Sequence, residues 1–334
     1  MSQDKDLKKL ADGRQGAYRK DARSENFLAD LNTALVEFEA DQYQEAKIEH
    51  PIFMVIGAPR SGTTFCTQFL ANAFELAYVN NLVARFYQNP LTAVKLSSQI
   101  LGKELLPGFS SHYAKTEGIS NIHEFGYFWR HWLHKGSLEA METIAEDEAR
   151  IDWQGLYQVL ANLQQEWGKP SVFKNIFGSY HMAKITDLLE KVVWVYIERD
   201  ELDVAQSIYK ARERHYGAEG ITKWWSYSPP NVMDLLDLEA IPQIAAQVHY
   251  LKSYYQEELA KLDPNKVVQL NYAELTQNSR QVAKSIQKQV KQAFDYELTI
   301  NPDLAESFPF NQHKGQDLEL RSAFKKEFNK LRNT

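Results

Sequence analysis

An α/β fold, with a P-loop-type parallel sheet flanked by helices, is what the sequence predicts, and three observations predict it. A continuous apolar run at Pro51–Ala58 (PIFMVIGA) and the segments Ser171–Asn175 (SVFKN), Val192–Ile197 (VVWVYI) and Val267–Tyr272 (VVQLNY) read as strands of a buried parallel sheet. Segments of helical period separate these runs, the order of a parallel sheet with crossover helices. The first run ends in a glycine loop that opens a helix, the strand–loop–helix order of phosphate-binding folds.

Taken in order, residues 1–23 mix lysines and arginines with aspartates and few large apolar groups, the composition of a flexible arm. From Ser24, read as an N-cap, Phe27, Leu28, Leu31, Leu35 and Phe38 recur at helical spacing and predict a helix packed on the body through that stripe. After the first strand and its loop, Phe65, Phe69, Leu70, Ala73 and Leu76 give a second helical stripe. Met182, Ile185, Leu188 and Leu189 mark a helix between the second and third strands, and a helix over 279–294 follows the fourth. Residues 24–334 thus read as a single domain, with aromatic-rich insertions at about 110–140 and 215–240 assigned to the ligand side of the sheet.

The 334 residues include 44% hydrophobic and 25% charged types, an ordinary globular balance that can bury a large core. Net charge is −6, which gives no general affinity for nucleic acid, so an anion site must be local. One cysteine, Cys66, excludes an intrachain disulfide and a thiolate metal cluster and favours a reducing, cytoplasmic setting. No apolar run reaches the roughly 18 residues of a membrane span, and neither a signal peptide nor an anchor is expected.

The loop Gly57-Ala58-Pro59-Arg60-Ser61-Gly62-Thr63-Thr64 almost matches the nucleotide-binding pattern G-x-x-x-x-G-K-[ST], with Thr63 in place of the lysine. Its amides and the following helix N-terminus form a nest for an anion. Arg60 moves the cation into the body of the loop, and Ser61, Thr63 and Thr64 add hydroxyls. A glycine turn without ligand is the simpler alternative, but Pro-Arg-Ser-Gly-Thr-Thr arises by chance in one chain only about once in 10^5 from background composition.

This hexapeptide resembles the 5′-phosphosulfate loop of sulfotransferases that use 3′-phosphoadenosine 5′-phosphosulfate, and the chain resembles their soluble bacterial branch. The family carries a strand-ending arginine with a serine eight residues on; Arg199 and Ser207 match it. Leu270–Leu275 (LNYAEL) is similar to the family's Tyr-Glu-Asp-Leu box, read here as structural. His313-Lys314-Gly315 resembles its C-terminal Arg-Lys-Gly. The resemblance covers about residues 51–316 and implies a sulfotransferase fold. It also implies 5′-phosphosulfate contacts from Arg60, Ser61, Gly62, Thr63 and Thr64, and 3′-phosphate contacts from Arg199, Ser207, Lys314 and Gly315. Transfer to an acceptor hydroxyl without a metal is part of the same implication.

The cytosolic branch of that family places a basic histidine in a Lys-x-His segment. Here Phe173-Lys174-Asn175-Ile176 keeps Lys174 as a sulfuryl-contacting cation and puts Ile176 at the histidine position. The base is therefore sought in Asn121-Ile122-His123-Glu124-Phe125, with Glu124 first and His123 second; a surface acid beside a hydrogen-bonded histidine is the alternative. Aromatics from Phe125 to Trp132 and Trp224 to Tyr227 suit a sugar or lipid face, although most are expected to pack the core. Arg85 is read as a surface arginine. The acceptor expected from this reading is a hydroxyl-bearing small molecule or glycan. The competing functions are a P-loop NTP-dependent kinase, which the missing lysine disfavours, and a non-catalytic nucleotide-binding protein.

Overall fold

The predicted apolar runs form one sheet. The structure, a computed structural model, describes residues 21–102, 107–108, 118–136, 141–309 and 317–333. The arm over 1–20 and the Lys314 and Gly315 assignments lie outside the described residues. The strands are β1 (Ile52–Ile56), β2 (Ala77–Tyr78), β3 (Ser171–Lys174), β4 (Val192–Glu198) and β5 (Val267–Asn271), all parallel, in the order β2-β3-β1-β4-β5. β1 is central and every one of its residues is buried. Alternate side chains of β1 and β4 enter different clusters: Ile52, Met54, Trp194 and Tyr196 one, Phe53, Val55, Val193 and Val195 the other. That alternation follows from the period of two along a strand, and apolar residues at both phases match a sheet covered on both faces.

The helices, in chain order, are α1 (Ala22–Ala34), α2 (Val36–Ala40), α3 (Thr63–Ala73), α4 (Pro90–Leu101), α5 (Gly126–Trp132), α6 (Met141–Arg150), α7 (Trp153–Trp167), α8 (Met182–Leu189), α9 (Glu201–Tyr216), α10 (Ala240–Ala260), α11 (Tyr272–Gln277), α12 (Ser279–Phe294) and α13 (Leu318–Leu331). Residues of α3 and α12, among them Phe69, Leu70, Val282 and Ile286, fill one face of the sheet. On the other, α5, α7 and α8 contribute Trp129, Leu160 and Ile185. A third cluster joins α9, α10 and α13 through Val204, Ile208, Ile244, Phe324 and Phe328.

The N-terminal helix corrects the sequence reading. It starts at Ala22, inside the segment read as an arm, and Asp21, not Ser24, is its N-cap, accepting from the Ser24 amide. Phe27 and Phe38 are exposed rather than packed inward, while Asn32 and Glu39 are the buried residues. Asn32 donates to the carbonyls of Leu28 and Arg85 and accepts from the Gln88 amide. Glu39 accepts from the Leu91 and Thr92 amides and from the Thr92 hydroxyl, which satisfies the N-terminus of α4. The docking is polar because a carboxylate is the better partner for unpaired helix amides.

Adjacency of β3, β1 and β4 positions the site. Their carboxyl ends lie side by side, the place where open α/β sheets bind ligands. The loop leaves β1, Lys174 ends β3, and Arg199 follows β4 by one residue.

Candidate active site

Gly57 and Gly62 shape the loop after β1. A Cβ on Gly57 would meet Ser61 Oγ at 2.6 Å and the Ile197 carbonyl at 2.7 Å, so only glycine lets the loop pass this close to β4. Gly62 has φ +104°, and a Cβ there would strike the Tyr272 ring at 2.5 Å. Arg60 also takes a left-handed conformation, φ +71°, a strained state that persists where surrounding structure enforces it. The Tyr-containing segment read as structural therefore floors the loop.

At the start of α3 no side chain caps the helix and no acid occupies its first turn. Ser61 Oγ is buried without a hydrogen-bond partner among the described residues, a costly state unless an anion accepts from it. The residues thus fit a bound phosphate: uncapped amides, a buried hydroxyl and the N-terminal dipole of α3.

Arg60 Nε donates to Ser207 Oγ at 2.9 Å, so the loop cation reaches the helix that carries the predicted clamp. Arg199 stacks on the other partner of the loop, its guanidinium carbon 4.9 Å from the centre of the Tyr272 ring. Its Nη2 lies 3.7 Å from Asp203 Oδ2. Arg60, Arg199 and Ser207, distant in sequence, therefore gather around one loop.

On the β3 side, Lys174 Nζ donates to Thr64 Oγ1 at 3.3 Å and forms an ion pair with Glu124 Oε1. The Tyr227 hydroxyl donates to Glu124 Oε2 at 3.0 Å. Backbone pairing explains how Glu124 arrives there: the His123 amide donates to the Val79 carbonyl and Ile122 bridges Asn80, next to the short strand β2 beside β3. The second insertion is pinned by Gln247, whose Nε2 donates to the Trp225 and Tyr227 carbonyls, and by the Tyr180 hydroxyl on the Ser228 carbonyl. Both aromatic insertions therefore meet at Glu124.

Burial alone would raise the Glu124 carboxyl, but the Lys174 ammonium, with smaller help from His123 and Tyr227, outweighs it and holds the group below the usual carboxylate range. Glu124 is half-buried and its base form is the resting one. Burial and the neighbouring Glu124 charge push the Tyr227 phenol well above its ordinary value, so it stays protonated and donates. His123 is exposed and its Nδ1 accepts from the Phe125 amide at 2.9 Å, which leaves the proton of the neutral ring on Nε2. Ile176, at the position of the family's histidine, is buried in the core. Phe125, Phe128 and Trp129 are core residues, and Arg85 is exposed. Tyr227 as partner of Glu124, and Tyr272 under Gly62, were not singled out by motif. In the sequence one lies in an aromatic run and the other in a strand-end box.

Residues 51–296 match the family model described as the sulfotransferase family. Among solved structures, a sulfotransferase of Mycobacterium avium is similar at 12% identity and TM-score 0.51, over 93% of this chain and 86% of that one. A sulfotransferase of Mycobacterium tuberculosis H37Rv is similar at 16% identity and TM-score 0.46, over 89% and 81%. No curated protein matches the sequence. At these identities the structural likeness is one of fold.

Proposed function

The chain belongs to the sulfotransferase family, and from that premise we propose that it moves the sulfuryl group of 3′-phosphoadenosine 5′-phosphosulfate to a hydroxyl on a carbohydrate or glycolipid. The observation that carries this reading is the continuous chain Glu124–Lys174–Thr64, which runs from a resting carboxylate to the uncapped start of α3. It sets a base, a cation and an anion nest along one edge of the sheet.

In this reading the loop amides, Ser61, Thr63 and Thr64 hold the 5′-phosphate, and Arg60 neutralises charge on it. Arg199 and Ser207 hold the 3′-phosphate together with Lys314 and Gly315. The donor supplies an activated sulfur whose leaving group is the 5′-phosphate. Glu124 takes the proton of the acceptor hydroxyl as its oxygen bonds to sulfur and the sulfur–oxygen bond to the phosphate breaks. Adenosine 3′,5′-bisphosphate and a sulfate ester result. Such proton transfer is worth about 10²–10⁴ in rate. Lys174 and Arg60 act as preorganised cations where charge develops, and Tyr227 holds the carboxylate in place. Tyr227, partly buried and bonded to Glu124, supplies an aromatic ring of the kind that suits a sugar face.

The test is incubation with sulfur-labelled donor and a panel of glycans, glycolipids and small alcohols. Label on a carbohydrate hydroxyl, lost in Glu124→Gln, is the expected result. Label only on non-carbohydrate acceptors refutes the acceptor class, and equal transfer by Glu124→Gln refutes the base.

A further inference from the structure

We infer that Arg321, on the last helix of the chain, is a positioning residue for the 3′-phosphate clamp. The inference rests on the reading of Arg199 as that clamp. Asp200 caps α9 by accepting from the Asp203 amide, and Asp203 lies one turn along from Arg199. Three acids, Asp200, Glu201 and Asp203, therefore crowd the helix start that follows Arg199. Left alone, they would oppose a dianionic phosphate there and draw Arg199 into a closed ion pair.

Arg321 prevents both. Its Nη1 donates to Asp203 Oδ1 at 2.8 Å and its Nη2 lies 3.3 Å from Asp200 Oδ1. Asp203 is nearly buried, 8% exposed at its side chain, so it has little water to turn to. With one oxygen held by Arg321, its other oxygen stays 3.7 Å from Arg199 Nη2, a loose ion pair beyond hydrogen-bond distance. Asp203 is thus shared between two guanidinium groups, Arg199 and Arg321. A planar fork suits this grip on two carboxylates, as a lysine would not. Phe324 and Phe328 seat α13 on α9 and α10, so the grip is built into the fold.

Coupling between two sites is reciprocal, and typical couplings span about 5- to 150-fold. Arg321→Gln is expected to lower affinity for adenosine 3′,5′-bisphosphate about tenfold while leaving AMP affinity unchanged, and to have no further effect in an Arg199→Ala background. Arg332→Gln is the control: it breaks the ion pair of the same helix with Glu201 without touching Asp203, and should preserve the preference for the bisphosphate. Equal losses for both nucleotides, the same loss in Arg332→Gln, or a full further loss in the Arg199→Ala background would overturn the inference. A wild-type protein that binds the bisphosphate no better than AMP would instead overturn the donor reading beneath it. A measurement without variants guards against a misfolded mutant: the bisphosphate, and not AMP, should slow amide exchange around Leu320–Phe324. Equal protection by the two nucleotides contradicts the coupling.

Discussion

Adding one methyl group at Gly62 tests the geometry of the loop. In Gly62→Ala the new Cβ lies 2.5 and 2.8 Å from the Tyr272 ring, and the backbone sits at φ +104°. The ring has little room to yield, because Arg199 stacks on it and Phe65 meets it edge to face at 5.9 Å. Left-handed strain costs roughly 1–3 kcal/mol and overpacking about 1–3 kcal/mol, so the variant should lose about 3 kcal/mol. An unfolding entropy of about 2.1 cal/mol/K per residue over 334 residues gives about 0.7 kcal/mol/K, which makes the drop in Tm about 4 °C. The assay is thermal unfolding of Gly62→Ala in the native and Tyr272→Leu backgrounds. Without the ring only the backbone part remains, so the cost should roughly halve. An unchanged Tm, or the same cost in both backgrounds, would show that Tyr272 does not floor the loop.

Other expectations follow from the same site. Glu124→Gln should reduce turnover by about 10²–10⁴ with nucleotide affinity retained, as read by kcat and by calorimetric titration. Because the Glu124 carboxyl is depressed, its base form persists as pH falls and the acid limb of kcat/KM should lie below the ordinary 4.5. Lys174→Met removes the main lowering influence and leaves burial, so a pH–rate profile should show that limb moved upward. Glu39→Ala leaves the buried Leu91 amide and the part-buried Thr92 amide without their carboxylate partner and should cost about 1–3 kcal/mol in denaturant unfolding, with the preference among nucleotides unaltered.

β1 and β4 were legible because strands covered on both faces demand near-continuous apolar runs, whereas β5 leaves Gln269 and Asn271 exposed; α12 spans Ser279–Phe294, the range read from the sequence. β2 was not legible, since two residues carry no period. In the N-terminal helices apolar spacing points to the wrong docking face, since Asn32 and Glu39 make the buried contacts. At the site, the family resemblance and the loop motif single out Arg60, Lys174, Glu124, Arg199 and Ser207 but say nothing of their partners. Tyr227 meets Glu124 across 103 residues and Arg321 meets Asp203 across 118, and no local pattern encodes such pairs. Ile176 stands in the core just beyond β3, where the resemblance would place a histidine, and Glu124 lies beside Lys174.

The most direct test of the account is thermal unfolding of the whole chain with adenosine 3′,5′-bisphosphate, AMP and ATP-Mg²⁺ in parallel. A ligand at 100 times its Kd stabilises by about 2.7 kcal/mol, about 4 °C on the scale above. The account predicts that shift with the bisphosphate, a smaller one with AMP at equal concentration, and loss of the difference in Arg199→Ala. A shift with ATP-Mg²⁺ and none with the bisphosphate would contradict it.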